Sequence, residues 1–159
     1  MTDSTLTATP PNGAAASSMP TTVEQLAQRL PGFLSGARWF WWIAGLSAVN
    51  VACDLAHANV NFVLGLAFTL LAHGAFESNI AIALVIDVFF IGGFWLIGLQ
   101  AQKGRTWAFA LGAAVYVCDG LIYMKFADWM PVAFHALALF YIGRAFMNLQ
   151  AAKKATGIR

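Results

Sequence analysis

Five apolar segments fill most of the chain from residue 39 to residue 146, and they limit its possible folds more than any other feature. They are Trp39–Ala56, Val60–Phe76, Ile80–Leu99, Thr106–Met124 and Pro131–Phe146. Several are close to the roughly 20 apolar residues with which a helix crosses the hydrocarbon of a bilayer. Only 10% of the 159 residues are charged, whereas soluble domains average about 25%. The sequence therefore predicts an all-α integral membrane protein.

A short amphipathic helix on the membrane surface, followed by a linker, is predicted for residues 20–36. Thr21 and Glu24 have the spacing of a capping box, in which two side chains bond to the first backbone N–H groups of a helix. Pro31-Gly32 ends the pattern. The apolar residues between them share one helical face, as expected of a helix lying on a membrane: Val23, Leu26, Ala27 and Leu30.

Composition divides the rest of the chain into three parts. Residues 1–19 are rich in Ser, Thr, Ala, Pro and Gly, so they are predicted to form a disordered tail. Residues 37–149 hold the apolar segments and are predicted to form a transmembrane helical bundle. Residues 150–159 form a basic tail, expected on the cytoplasmic side.

The distribution of basic residues indicates how the bundle is oriented. Eight of the nine precede the first apolar segment, follow the third or lie at or beyond the end of the fifth, at Arg29, Arg38, Lys103, Arg105, Arg144, Lys153, Lys154 and Arg159. Lys125, near the predicted outer turn, is the exception. Basic residues favour the cytoplasmic side of a membrane, so both chain ends are expected there. Two ends on one side require an even number of crossings.

Because the number of crossings is even, one of the five segments does not cross the membrane. Val60–Phe76 is the most polar, since Asn59, Asn61, Thr69, His73 and Glu77 lie in or beside it. We therefore expect a bundle of four transmembrane helices, with Val60–Phe76 as a re-entrant or interfacial helix on the outer side.

Polar and ionisable side chains concentrate in the predicted outer half of the bundle. An ionisable group inside hydrocarbon costs at least a few kcal/mol and thus indicates a candidate site. No other polar residue shares the helical face of Asp87, so it needs a partner on another helix or must be protonated. The candidates for a ligand or ion site are Asp87, Asp119, His135, Asp54, His57, Asn50, Tyr116 and Tyr123. The alternative is that they form ordinary hydrogen bonds between helices.

The stretch from Asp119 to His135 supports a specific contact. Both residues are expected about 10 Å below the outer surface, on successive helices, so His135 is predicted to face Asp119 or Tyr123. Asp128 is expected to cap the last helix, with Trp129 at the outer interface.

Small residues predict where helices approach closely. Ala44, Ala48, Ala52 and Ala56 repeat every four residues along the first segment. Such a seam allows close packing of a second helix. Other membrane subunits, a second copy of the chain and membrane lipid are therefore the expected partners.

Other chemistry has little support in the sequence. His57, His73 and Glu77 are weak metal-ligand candidates, since no pair has the spacing of a metal motif, and we expect no metal. No motif indicates an enzyme or a particular cofactor. A net charge of +2 gives no reason to expect nucleic acid.

Three stretches, "FWWIAGLSAVN", "FVLGLAF" and "KGRTWAFALGAAVYVCDGLIYMKFADWMPVAFHALALFYIGRAF", resemble small bacterial inner-membrane proteins with no assigned function. The resemblance covers about Arg38 to Met147. It implies a four-helix membrane protein in the bacterial inner membrane and transfers no active site.

Two functions remain open. The first is a small non-catalytic membrane protein, an accessory or structural subunit that docks partners through small-residue helix faces. The second is a small permease or channel with a proton, cation or small polar ligand site in its outer half. A path across the membrane needs polar residues in the inner half too, and Trp39 to Ile43 and Phe94 to Leu99 contain none. This favours the first function.

Overall fold

The computed structural model describes residues 19–58 and 65–158, and every regular element within them is a helix. In chain order the helices are α1 Val23–Arg29, α2 Phe33–Leu55, α3 Ala67–Ala75, α4 Ile80–Gln102, α5 Thr106–Lys125 and α6 Trp129–Thr156. By length and composition, α4, α5 and α6 can each cross a membrane. The prediction of an all-α membrane protein is confirmed to this extent.

Two of the long helices extend beyond their predicted ends. α2 begins at Phe33, so part of the predicted linker is helical. α6 continues to Thr156 through most of the predicted basic tail, and Gly157 ends it with a left-handed φ of 69°. The predicted disordered tail, apart from Met19, and the start of the Val60–Phe76 segment lie outside the described residues.

The cap of α1 lies one residue later than predicted. Thr22 is the N-cap, and its hydroxyl oxygen accepts a hydrogen bond from the backbone N–H of Gln25 at 3.2 Å. The Gln25 side-chain oxygen accepts from the backbone N–H of Thr21 at 3.0 Å. The predicted capping box of Thr21 and Glu24 is therefore wrong. Both pairs have capping-box spacing, because Gln serves as well as Glu in its last position.

Four long helices form a closed ring. α2 packs between α4 and α6, and α5 packs between the same two helices on the opposite side. The short α3 lies against α4 and α5, and α1 lies against α2 and α6. Residues 103–105 join α4 to α5 in a tight turn, so these two helices are antiparallel neighbours.

Aromatic side chains fill the ring near its basic end. The ring of Phe40 lies 6.3 Å from that of Phe94 and 5.9 Å from that of Phe109, measured between centroids. All three side chains are buried. Gly112 makes this packing possible, because a Cβ there would lie 2.5 Å from a ring carbon of Phe40. The polar candidates lie towards the opposite end, around α3.

Candidate functional site

The candidate site is built around the two ends of α3. This helix has nine residues and is therefore about 13 Å long. Side chains from the surrounding helices hold both ends. The N-terminal cluster consists of Ser47, Asp119, Tyr123 and His135, and the C-terminal cluster consists of Asp54, His73 and Asp87.

Side chains from α2 and α5 bind three consecutive backbone N–H groups at the start of α3. Leu66 donates to the Ser47 hydroxyl oxygen at 2.9 Å. Ala67 and Phe68 donate to the two carboxylate oxygens of Asp119 at 2.9 and 3.0 Å. The first N–H groups of a helix have no acceptor within it, and negative charge is favourable there. Asp119 therefore caps α3 from another helix.

His135 completes the bonding of Asp119. Its Nε2 lies 2.9 Å from Oδ2 of Asp119, and its Nδ1 lies 2.8 Å from the carbonyl oxygen of Pro131. A carbonyl oxygen only accepts, so Nδ1 carries a proton, and a second proton must lie between Nε2 and Oδ2. The pair is either imidazolium with carboxylate or imidazole with carboxylic acid. Both forms have zero net charge, which avoids leaving one charge buried without a partner.

Aromatic rings hold His135 in place. The ring of Tyr116 stacks on the imidazole with centroids 4.1 Å apart and an angle of 16° between planes. Tyr123 lies 5.4 Å from the imidazole on another side and donates its hydroxyl to the carbonyl of Gly65 at 3.3 Å. The predicted contact between His135 and the Asp119–Tyr123 face is confirmed. The hydroxyl of Tyr116 has no hydrogen-bond partner among the described residues.

His73 is the centre of the C-terminal cluster. Its Nε2 lies 2.7 Å from Oδ2 of Asp87, and its Nδ1 contacts Oδ2 of Asp54. The chain of three groups runs from the half-exposed Asp54 side chain to Asp87, which is 1% exposed. The predicted partner of Asp87 on another helix is thus His73 of α3. The second oxygen of Asp87 is buried and has no partner within the described part of the chain.

The two carboxylates favour the charged form of His73. Burial of the imidazole acts to lower its pKa, but the hydrogen bonds and negative charges of Asp87 and Asp54 outweigh burial. The net result is a pKa raised above the ordinary value of 6.5. Because His73 lies in the last turn of α3, its positive charge also faces the negative end of the helix dipole.

Within each cluster, the polar groups bond mainly to one another or to α3. The cavity beside Asn50, Asp54, Thr69 and His73 has a volume of about 10 Å³. A single water molecule needs about 10–15 Å³. Asn50 is buried at the edge of this cavity. Within the described residues, this cavity beside the C-terminal cluster is therefore too small for an organic ligand.

The metal-ligand candidates do not converge. His57 follows α2 and Glu77 lies in the turn after α3, and both are exposed. Asp54 and Asp87 reach opposite nitrogens of His73, so the three side chains do not point at a common centre. Across residues 19–58 and 65–158, no group of three or more His, Cys, Asp or Glu side chains could hold a metal ion.

The structure corrects the prediction for Asp128 and refines that for the alanine seam. Asp128 occupies the N-cap position of α6, but its side chain makes no capping hydrogen bond. The predicted side-chain cap is therefore wrong. In the seam, Ala44 is buried in the bundle, while Ala48, Ala52 and Ala56 are exposed along α2.

The central role of His73 was missed by sequence reasoning, which treated it only as a weak metal ligand. Thr69 was also missed as a residue of α3 that faces the bundle and donates to the Leu66 carbonyl at 2.7 Å. The two lie four residues apart, on one face of a helix. That spacing was the available signal that α3 turns a polar face inward.

A comparison with known protein families, curated proteins and solved structures found no match. Function is therefore inferred from the geometry of the described residues.

Proposed function

We propose that four helices cross the membrane, with both chain ends on the cytoplasmic side of a bacterial inner membrane and α3 re-entrant from the outer side. α2 has 23 residues, as many as α4, and so is about 35 Å long. The nine residues of α3 cover less than half of a hydrocarbon core of about 30 Å. The bonds of Ser47 and Asp119 to the start of α3 support a helix end buried in the bundle.

Fusion reporters test this topology. Reporters at Thr2 and after Arg159 should both report the cytoplasm, and one at Glu77 should report the outer side. A cytoplasmic signal from Glu77 would contradict the re-entrant position of α3.

Within this topology, the protein serves as a non-catalytic accessory or structural subunit. The observation that carries this proposal is the bonding around α3. Asp119, His135, His73 and Asp87 bond to one another or to α3, and the cavity beside His73 has a volume of about 10 Å³. Such bonding supports a structural role for these polar side chains.

The partner is a transmembrane helix that docks on the exposed part of the α2 seam. Small side chains at Ala48, Ala52 and Ala56 allow a second helix backbone to approach closely. By contrast, α4 exposes large apolar side chains such as Val88 and Phe89, which suit lipid. The alanine seam of α2 is therefore better suited to the close approach of a helix than the outward face of α4 is.

Site-specific photocrosslinking in native membranes tests the docking face. A photoreactive residue at Ala52 should give one discrete protein adduct, and one at the lipid-facing Val88 should give none. An Ala48→Leu substitution should remove the Ala52 adduct by filling the seam. Equal adducts at both positions would contradict the proposal, and an adduct with twice the mass of the chain would identify the partner as a second copy.

A small permease or channel remains the second candidate because of one observation. Asp54, His73 and Asp87 form a continuous hydrogen-bonded chain from an exposed carboxylate to a buried one. This chain could carry a proton part of the way into the bundle. Phe40, Phe94 and Phe109 close the ring towards the basic end, so the described residues contain no continuation of such a path.

A further inference from the structure

A polar cavity lies at the basic end of the bundle, away from α3. It has a volume of about 460 Å³ and lies between α1, the α4–α5 turn and the last turns of α6. Gly104, in the α4–α5 turn, allows α1 to pack closely against this turn. Its φ is +74°, and a Cβ on it would lie 2.8 Å from Val23 of α1. The close packing of α1 on this turn therefore forms one wall of the cavity.

The cavity has an excess of positive charge. Lys103, Arg105 and Lys153 line it, together with one carboxylate, Glu24. The ion pairs of the described residues involve only histidines, so none of these three cations is neutralised by a pair. Basic pockets beside transmembrane helices attract anionic lipid headgroups.

An apolar groove lies beside the cavity. It lies between α4 and α5 and has a volume of about 480 Å³, with Phe90, Phe94 and Val115 among its walls. Trp107 lines both the cavity and the groove, so the two spaces are neighbours.

The length of the groove matches one leaflet of a bilayer. From Trp107 to Val115 α5 rises about 12 Å, and from Gln100 to Phe89 α4 rises about 16 Å. Half of a hydrocarbon core of about 30 Å is about 15 Å. A chain lying in the groove would therefore run from the basic end to the middle of the membrane.

We propose that the cavity and the groove together bind one anionic phospholipid. Its phosphate lies among Lys103, Arg105 and Lys153, and one acyl chain lies along the groove between α4 and α5. A zwitterionic lipid gains less from the three cations, because its ammonium group offsets the charge of its phosphate, and a soluble phosphate compound gains nothing from the groove. An anionic lipid uses both spaces in full.

Native mass spectrometry of the full chain, purified in a mild detergent and stripped of lipid, tests this proposal. The probes are phosphatidylglycerol, phosphatidylcholine with the same acyl chains, and glycerol 3-phosphate as a headgroup without chains. Phosphatidylglycerol should bind at least tenfold more tightly than either of the other two. Equal affinity for both lipids would overturn the proposal, and so would equally tight binding of glycerol 3-phosphate.

Two pairs of variants locate the site. Lys103→Gln with Lys153→Gln should weaken phosphatidylglycerol binding at least tenfold, because each cation near a headgroup contributes about a fivefold effect. The matched control is Arg29→Gln with Lys154→Gln, which removes two charges at the same end but outside the cavity. It should retain wild-type affinity.

Gly93→Leu tests the groove. Gly93 lines the groove, and a Cβ on it meets no atom within 4 Å, so a leucine side chain there starts from open space and occupies part of the groove. It should weaken phosphatidylglycerol binding, while Gly92→Leu, equally open but outside the groove, should not. The proposed position would be overturned if the double lysine variant and its control weakened phosphatidylglycerol binding equally. Equal weakening by Gly93→Leu and Gly92→Leu would overturn it as well. If a variant fails to fold, the comparison of lipids on the wild-type chain still decides.

Discussion

Oδ2 of Asp119 lies 2.9 Å from Nε2 of His135, and both side chains are almost completely buried. The same carboxylate accepts the backbone N–H groups of Ala67 and Phe68. One residue of α5 therefore joins α6 to the start of α3. Its loss should affect the packing of all three helices.

Asp119→Asn should destabilise the protein by about 1–3 kcal/mol, even though the amide has the same shape as the carboxylate. Both oxygens of Asp119 face N–H donors, so the amide NH₂ group must point at a donor on one side. Unfolding in mixed micelles measures the change. A variant as stable as wild type would show that Asp119 does not cap α3.

A double-mutant cycle with Asp119→Asn and His135→Ala measures the link between the two residues. We expect a coupling energy of about 0.6–2 kcal/mol, since hydrogen bonds between membrane helices are of modest strength. Additive effects on the free energy of unfolding would place the residues apart.

Asp87→Asn should be much milder than Asp119→Asn. Only Oδ2 of Asp87 is bonded, to His73, and the amide oxygen can accept that bond while the NH₂ group takes the place of the unpartnered Oδ1. We expect a change below about 1 kcal/mol for Asn and about 1–3 kcal/mol for Asp87→Ala, which leaves His73 without its acceptor. The same unfolding assay compares them. Equal and large losses would show that the ionised carboxylate of Asp87 is required.

Depth along the helices was readable from the sequence. Counting residues from the predicted outer turn placed Asp119 and His135 at one level on successive helices, with Asp119 or Tyr123 as the predicted partner of His135. These predictions needed only helix geometry. Both Asp119 and Tyr123 contact His135 in the structure.

The role of α3 could not be read in the same way. Its N-terminus is capped by Asp119, 52 residues away in the chain from Ala67, and no local pattern indicates a cap that comes from another helix. The partner of Asp87 was unknown for the same reason, because His73 reaches it only once α3 has packed against α4. The N-cap of α1 was predicted one residue too early, because Thr21–Glu24 and Thr22–Gln25 both have the spacing of a capping box.

The pH dependence of stability should report the C-terminal cluster. The pKa of His73 is raised in the folded state above its ordinary value of 6.5. The stabilisation it provides is thus fully present below about pH 6.5 and is lost as the pH rises through the folded-state pKa. Thermal unfolding in detergent between about pH 6 and about pH 9 should therefore show falling stability.

Two variants assign this slope to His73. His73→Gln should flatten it, and His57→Gln should leave it unchanged, because His57 is exposed at the end of α2. A wild-type slope in the His73 variant would assign the pH dependence to other groups.

Gly120 controls how closely α5 approaches α6 at the His135 ring. A Cβ at Gly120 would lie 3.1 Å from Cδ2 of His135 and 3.3 Å from its Cβ and Cγ. The imidazole is held by Asp119, by Pro131 and by the stacked ring of Tyr116, so it cannot move away without losing one of these contacts. Gly120→Ala should therefore destabilise the protein by about 1–3 kcal/mol, the usual cost of overpacking.

The matched control is Gly143→Ala on α6, where an added Cβ meets no atom within 4 Å. Alanine in an open helical position is more favourable than glycine by about 0.5–1 kcal/mol, so this variant should be as stable as wild type or more stable. Opposite signs for the two substitutions in the unfolding assay are the expected result. If Gly120→Ala also stabilises, the imidazole is free to shift, and the bond between His135 and Asp119 does not fix the distance between α5 and α6.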